Sequence, residues 1–351
     1  MSLLVESRDL SAFNTLGLRS VAPACVDFVD EAQLPALSQL VRQYAQVFVL
    51  GGGSNVVLPE VLPGLLIRVM TRGIALVDET DSHWLVEVQA GESWHGFVQS
   101  CLSQGWSGLE NLALIPGTAG AAPVQNIGAY GVELESLVER VTAWNLHDGQ
   151  SRVFAREDCG FAYRDSFFKR QPPGQWLITR VCFALPRHWE PKLDYPDLAA
   201  CRALAARGLL TPSDVFDTVC DVRRAKLPDP DVLGNAGSFF KNPVVDAVQH
   251  ARLASLWPGL VAYEQPDGDY KLAAGWLIDK AGWKGHREGA VGVHDRQALV
   301  LVNYGGATSA EVQALANRIS TDIYARFGVL LEQEPVQAGG VQGNPAGNIQ
   351  R

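Results

Sequence analysis

The chain has 351 residues, too many for one small core and enough for two or three domains, and its 47% hydrophobic and 19% charged content is that of a globular protein. A formal net charge of −9 excludes a general affinity for nucleic acid or for anionic membrane surfaces. The six cysteines contain no CxxC pair, which excludes a zinc-ribbon or disulfide framework. The first twenty residues, "MSLLVESRDLSAFNTLGLRS", lack the apolar centre of a signal peptide. No run reaches the roughly 18 apolar residues of a membrane span. A cytoplasmic location is expected.

In chain order, "EAQLPALSQLVRQYA" (31–45) has helical apolar spacing, and "QVFVLGGGSNVVL" (46–58) reads as strand, glycine turn and strand. Short strands follow at "GLLIRVM", "HWLVEVQAG", "VERVTAWNL" and "QWLITRVCFAL", interrupted by one amphipathic helix, "SWHGFVQSCLSQG". This is an α+β pattern and not a repeated βαβ series. At "TPSDVFDTVCDVRRAKLPDP" (211–230), Thr211 caps a helix with Pro212 at its first position, and Val215, Val219 and Val222 share a face. The change of tone there marks the entry to another domain. "KLAAGWLIDKAGWKG" reads as a helix ending in a glycine turn, and "SAEVQALANRISTDIYARFG" as a capped helix ending at Gly328. The polar, glycine-rich end, 338–351, predicts a disordered tail.

Several stretches could carry chemistry. In "GGGSN", Gly51, Gly52 and Gly53 let backbone N–H groups converge on an anion, with Ser54 and Asn55 as further donors. Val56 in place of the third fingerprint glycine excludes a dinucleotide motif of the Rossmann type, and no GK[ST] follows for a P-loop. The plainer alternative is a tight hairpin turn. "GLENLALIPGTAGAAPVQNIGAYGVELE" (108–135) is nearly uncharged, rich in small residues, and carries the amides of Gln125 and Asn126. Backbone lying flat on a large planar or pyrophosphate ligand needs that removal of side chains; the alternative is one loop packed on another. Two such loops in one chain favour a large cofactor.

"FAYRDSFFK" sets Arg164 and Asp165 among aromatics, where the guanidinium either stacks and pairs or meets developing negative charge. In "NAGSFFKNP", Ser238 is either a turn residue or a proton donor in an apolar pocket. No GxSxG elbow surrounds it, which disfavours a hydrolase. "LLEQEP" puts Glu332 and Glu334 on one side of an extended segment. The seven histidines form no ligand pair, so no metal site is expected.

Together, "LGGGSNVVL", "GLENLALIPGTAGAAPVQNIGAYGVEL", "YRDSFFK", "NAGSFFKNP" and "KLAAGWLID" occur in an order that resembles UDP-N-acetylenolpyruvoylglucosamine reductase, the flavoenzyme family of bacterial peptidoglycan synthesis. The resemblance runs from residue 10 or so to 337. "LDYPDL" and the loop "YEQPDGDYKLAAGWLID" resemble the longer, type I form. It implies an α+β fold: a two-subdomain FAD-binding module of the vanillyl-alcohol-oxidase (PCMH) type plus an α+β substrate-binding domain. The expected division is 1–65 for the first FAD subdomain, completed by 320–337, then 66–210 for the second and 211–320 for the substrate domain.

The same resemblance implies non-covalent FAD and NADPH as hydride donor. FAD would be held by Gly51, Gly52, Gly53, Ser54 and Asn55, by Pro116, Gly117, Thr118, Gly120 and Ala121, and by Gln125, Asn126, Gly128, Ala129 and Tyr130. The substrate implied is UDP-N-acetylglucosamine enolpyruvate, bound by Tyr195, Lys226, Asn242, Tyr263, Lys284 and Gln297, with Tyr263 as a lid. Hydride reaches C3 of the enol ether, Ser238 protonates C2, and Arg164 and Glu334 stabilise the enolate. Glu334 can do so only when protonated or through a water, and Lys241 or the reduced flavin could assist Ser238. Ala121 and Ala122 stand where relatives often have serine, and Pro335 where valine is usual. A monomer is expected, with no nucleic-acid or membrane partner. Another FAD-dependent oxidoreductase on the same scaffold, or a flavin- or nucleotide-binding protein without turnover, remain the alternatives.

Overall fold

Continuous apolar runs in the first third form parallel strands, as burial on both faces requires. In the computed structural model, which describes residues 3–339, the strand Leu65–Val69 runs parallel to Val21–Phe28 on one side and to Val47–Leu50 on the other. Four of its five residues are buried. The chain divides into two compact units. The first holds the residues up to Arg8, Ala22–Gly53 and Pro63–Ala225; the second holds Asp9–Val21, Ser54–Leu62 and the residues from Lys226 onward.

The first unit adds a five-stranded antiparallel sheet in the order Gln150–Ala155, Val138–Asn145, Trp176–Pro186, His83–Gln89, Ile74–Glu79. Its central strand "WLITRVCFALP" carries Phe183 into a ring cluster with Trp94 (5.8 Å) and Phe97 (5.3 Å) of the helix Trp94–Ser103. Full burial of such rings stabilises by about 1.5–3 kcal/mol each. Helix Pro212–Lys226 begins as expected at Thr211 and ends before "LPDP". Val215 and Val219 join the core of this unit, with Cys220 beside them. The division between units falls after Ala225, so most of this helix, placed by sequence at a domain entry, belongs to the first unit. The boundary expected at 65/66 lies within the first unit too.

In the second unit, Gly234–Ser238, Val300–Asn303, Val291–Val293 and Arg287–Glu288 form an antiparallel sheet. The helix Ser309–Phe327 lies on it, burying Val312, Leu315, Ala316, Ile319, Ile323 and Phe327 at helical spacing. A capping box between Thr308 and Glu311 starts this helix, and Gly328, at φ 67°, ends it. Residues 9–21 are sewn into this unit: Thr15 O accepts from Asn235 N (2.8 Å), and Leu16 O from Asn303 Nδ2 (2.9 Å).

Two readings change. The "GGGSN" run is not a hairpin turn, because Val47–Leu50 and Val56–Val57 lie in different sheets and Val56–Val57 pairs in parallel with Val336–Gln337. The helix expected from Lys271 starts only at Ala274, since Tyr270–Leu272 is a strand paired with Ala262–Glu264. Of the tail, Ala338 is buried and bonded to Val57 O (3.1 Å), and residues 340–351 lie outside the described residues. Among the described residues no helix is long and apolar enough to cross a membrane.

Candidate functional site

In the first unit the long small-residue stretch is held along the segment before and into the helix Trp94–Ser103. Ala90 O and Glu92 O accept from Gly120 N and Ala119 N (2.9 Å each), and Trp94 N donates to Gly117 O (3.0 Å). Trp94 Nε1 reaches Leu112 O (2.9 Å), and His95 Nδ1 accepts from Leu114 N (3.0 Å). The glycine run 51–53 lies against the same stretch. A Cβ at Gly52 would stand 2.8 Å from Gly117 Cα, and one at Gly120 would stand 2.4 Å from Ala90 Cβ. These glycines therefore permit backbone to pack on backbone. The sequence reading that a ligand fills the space of the missing side chains does not hold at 52 and 120, where protein fills it.

A ligand-shaped need remains beside them. Thr118 Oγ1 is buried and makes no hydrogen bond among the described residues, and it would be 2.4 Å from a Cβ at Gly51. An orphaned buried hydroxyl fits a polar ligand such as FAD. Gly120→Ala is expected to destabilise by about 1–3 kcal/mol, because backbone must move to admit the methyl group. Gly51→Ala should cost less, since the Thr118 side chain can rotate away. Thermal unfolding of the two variants checks the order.

Backbone strain concentrates here. Leu114 (φ 56°), Asn126 (43°), Tyr130 (49°) and Arg164 (54°) are the only non-glycine residues with positive φ among those described. Each such residue costs on the order of 1–3 kcal/mol and persists where surrounding structure and function require it. Asn126 is buried; its Nδ2 donates to Ala162 O (3.1 Å) and its Oδ1 accepts from Glu135 N (3.1 Å). Arg164 Nη2 donates to Gly128 O (2.7 Å) and Nη1 to Asn126 O (3.4 Å), with its Cζ 5.3 Å from the Tyr163 ring centre. Asp165 pairs with Arg170.

Tyr130 and Tyr195, named separately as cofactor and substrate residues, meet edge to face at 5.3 Å. Burial pushes the Tyr130 phenol above its usual pKa, against the pull of nearby Arg223. Besides His95, two residues escaped the sequence reading. Asn111, 1% exposed, ties Tyr130 O (2.8 Å) to Lys192 O (2.9 Å) through its Nδ2. Arg223 donates from Nε to Leu114 O (3.2 Å), and burial holds its pKa below the usual arginine value. An arginine four residues after Val219, on the apolar stripe of its helix, was the available signal.

In the second unit, Ser238 closes the strand Gly234–Ser238 opposite Val300, just after Gly237 at φ 68°. Asn235 Oδ1 accepts from Gly237 N (3.0 Å), shaping this turn. Glu334 N donates to Phe239 O (2.9 Å), and Lys241 N to Glu332 O (2.9 Å), so 239–241 and 332–334 run side by side. That brings Glu334 beside the residue following Ser238. Asn55 Nδ2 donates to Glu334 O (3.2 Å), and Val336 N donates to Asn55 O (3.0 Å). Pro335 is buried between these bonds without displacing them.

Lys241 Nζ pairs with Glu332 Oε1 (2.5 Å). Asn242 Oδ1 accepts from Ala274 N (3.0 Å), and Gln297 Oε1 lies 3.4 Å from a Cβ built at Gly275. Both amides thus gather at the start of the helix Ala274–Lys280. Lys284 Nζ pairs with Asp279 (3.2 Å), and Tyr263, 53% exposed, stands on the hairpin of Ala262–Glu264 and Tyr270–Leu272. Lys226 is exposed at the last position of its helix, and Ser54 O accepts from Thr15 Oγ1 (3.3 Å).

Comparison with known proteins accords with both halves. Residues 22–154 match the model of an FAD binding domain, and residues 229–338 that of the UDP-N-acetylenolpyruvoylglucosamine reductase C-terminal domain. The reductase of Bordetella pertussis is 58% identical over 95% of this chain and 95% of its own, and that of Burkholderia cenocepacia 52% identical over 95% and 96%. The crystal structure of the reductase from Thermus caldophilus superposes with a TM-score of 0.67 at 25% identity, covering 96% of this chain and 99% of that one. The fold is α+β, an FAD-binding module joined to a reductase C-terminal domain, and the chain belongs to the UDP-N-acetylenolpyruvoylglucosamine reductase family.

Proposed function

We propose that this protein reduces UDP-N-acetylglucosamine enolpyruvate to UDP-N-acetylmuramate for peptidoglycan synthesis, using NADPH and bound FAD, as a cytoplasmic monomer. The observation that carries this is identity of 58% over 95% of both chains, with the FAD-binding region and the reductase C-terminal domain in one polypeptide. Bound FAD would supply, from NADPH, the hydride that C3 of the enolpyruvyl ether receives. Ser238 Oγ gives a proton to C2, so the C2–C3 double bond is exchanged for two C–H bonds. Negative charge that builds toward the substrate carboxylate is met by the guanidinium of Arg164 and by Glu334, either protonated or through a water.

Thr118, Asn126 and Tyr130, with the backbone of 51–55 and 116–121, hold FAD, and Gln125, Gly128 and Ala129 complete that set. Lys226 and Lys284 suit the diphosphate as point charges. Tyr195, Asn242 and Gln297 bind the remainder of the substrate, and Tyr263 closes over the uridine diphosphate. A protein of the same scaffold with a different substrate, or one that binds without turnover, has no need of Arg164, Ser238 and Glu334 together.

Anaerobic visible spectra test the whole reading. The purified protein is expected to be yellow, to bleach with NADPH and to recolour on addition of the enolpyruvyl substrate. Bleaching without recolouring would leave the flavin and remove the assigned reaction.

A further inference from the structure

One strained residue of the first unit is gripped on both sides. Leu114, in the left-handed region that residues with a Cβ resist, gives its N–H to His95 Nδ1 at 3.0 Å, and its carbonyl accepts from Arg223 Nε at 3.2 Å. His95 lies in the first turn of the helix Trp94–Ser103, and its ring stacks on Phe216 at 5.4 Å and 7°. Phe216 and Arg223 are seven residues apart on the helix Pro212–Lys226 and so share its face. Arg223 makes no ion pair among the described residues, and Leu114 O is its one hydrogen-bond partner there.

A ring nitrogen that accepts a backbone proton carries none of its own, so His95 is neutral with its proton on Nε2. Burial first, then Arg224 and Arg223, lowers its pKa from the ordinary 6.5. Both charges acting on it are cationic and come from the helix packed across it. The other segment against it, Leu112–Leu114, is uncharged, and Glu92, upstream on its own chain, is engaged by Gly73 N and Arg72.

We propose that neutral His95 is a positioning residue: by holding the Leu114 peptide it fixes the aim of Arg223, whose Nη1 and Nη2 donors then take an anionic group of FAD or of substrate. The inference rests on the function proposed above. Because the folded pKa lies below the unfolded one, the folded state resists the proton. Ligand binding and stability are full above the ordinary histidine value and fall as pH drops through it toward the folded value.

Nitrogen-15 NMR of the histidine-labelled protein near neutral pH is expected to show His95 as the Nε2–H tautomer. His95→Asn places an amide oxygen where Nδ1 was. It should keep the FAD dissociation constant and substrate KM within about twofold of the parent and abolish their dependence on mildly acidic pH. His95→Gln places its oxygen nearer the Nε2 position and leaves Leu114 N–H unpaired. It should weaken FAD binding about tenfold if the anion is on the cofactor, or raise substrate KM about tenfold with FAD binding intact if it is on the substrate. An Nδ1–H tautomer, an asparagine variant as impaired as the glutamine one, or a glutamine variant like the parent in both constants overturns the inference. A parent chain that takes up no FAD overturns the proposed function and this inference with it.

Discussion

Replacing Ser238 with alanine is expected to slow turnover about 10²- to 10⁴-fold, the contribution of a well-placed proton donor. Reduction of bound FAD by NADPH should proceed as in the parent, because Ser238 enters only when C2 must be protonated. The fold should survive, since the register of Ser238 opposite Val300 and the bond from Phe239 N to Leu299 O (2.7 Å) are made by backbone. Stopped-flow absorbance separates the two half-reactions. A variant whose reduced flavin is reoxidised by the enolpyruvyl substrate at the parental rate would remove Ser238 from the proton-donor role.

The second large effect is expected at Arg164. Lysine there keeps the charge but loses the planar fork that reaches both Gly128 O (2.7 Å) and Asn126 O (3.4 Å). Arg164→Lys should lower kcat by about 10²–10³, the size of losing one donor aimed at developing charge, with a smaller change in KM. The alternative is that Arg164 serves mainly to staple the 126–128 backbone. In that case FAD affinity and thermal stability fall while kcat of the FAD-saturated enzyme holds, and the charge-stabilising role is lost. The strain at Arg164, with φ at 54°, favours the first outcome, because a mere staple has no need of a costly backbone conformation.

How far the sequence could be read depended on the range of the physics involved. Helix ends were plain: Gly328, and Thr211 with Pro212, are local chemistry within one turn, and the structure ends and starts helices there, while the capping box of Thr308 with Glu311 lies one residue before the stretch read as helix. The small-residue loops were also plain as places where side chains had been removed. What had filled the space was not, because Gly52 meets Gly117 and Gly120 meets Ala90, contacts across stretches of chain whose register no local pattern encodes. Asn111, His95 and Arg223 were missed for a related reason. Their partners are backbone carbonyls and amides, which carry no signature in a side-chain alphabet.

By itself the sequence determined the α+β alternation, the family, and the residue types available for chemistry, since periodicity, capping and motif order are properties of neighbouring residues. Only the tertiary structure decided that Val56–Val57 pairs with Val336–Gln337 rather than with the strand before the glycines. It alone brought Glu334 beside Phe239, the residue that follows Ser238, and it alone turned Lys241 toward Glu332. Such pairings join segments far apart in the chain. They form because together they satisfy buried backbone groups and bury apolar surface, a sum over the whole fold that no short stretch contains.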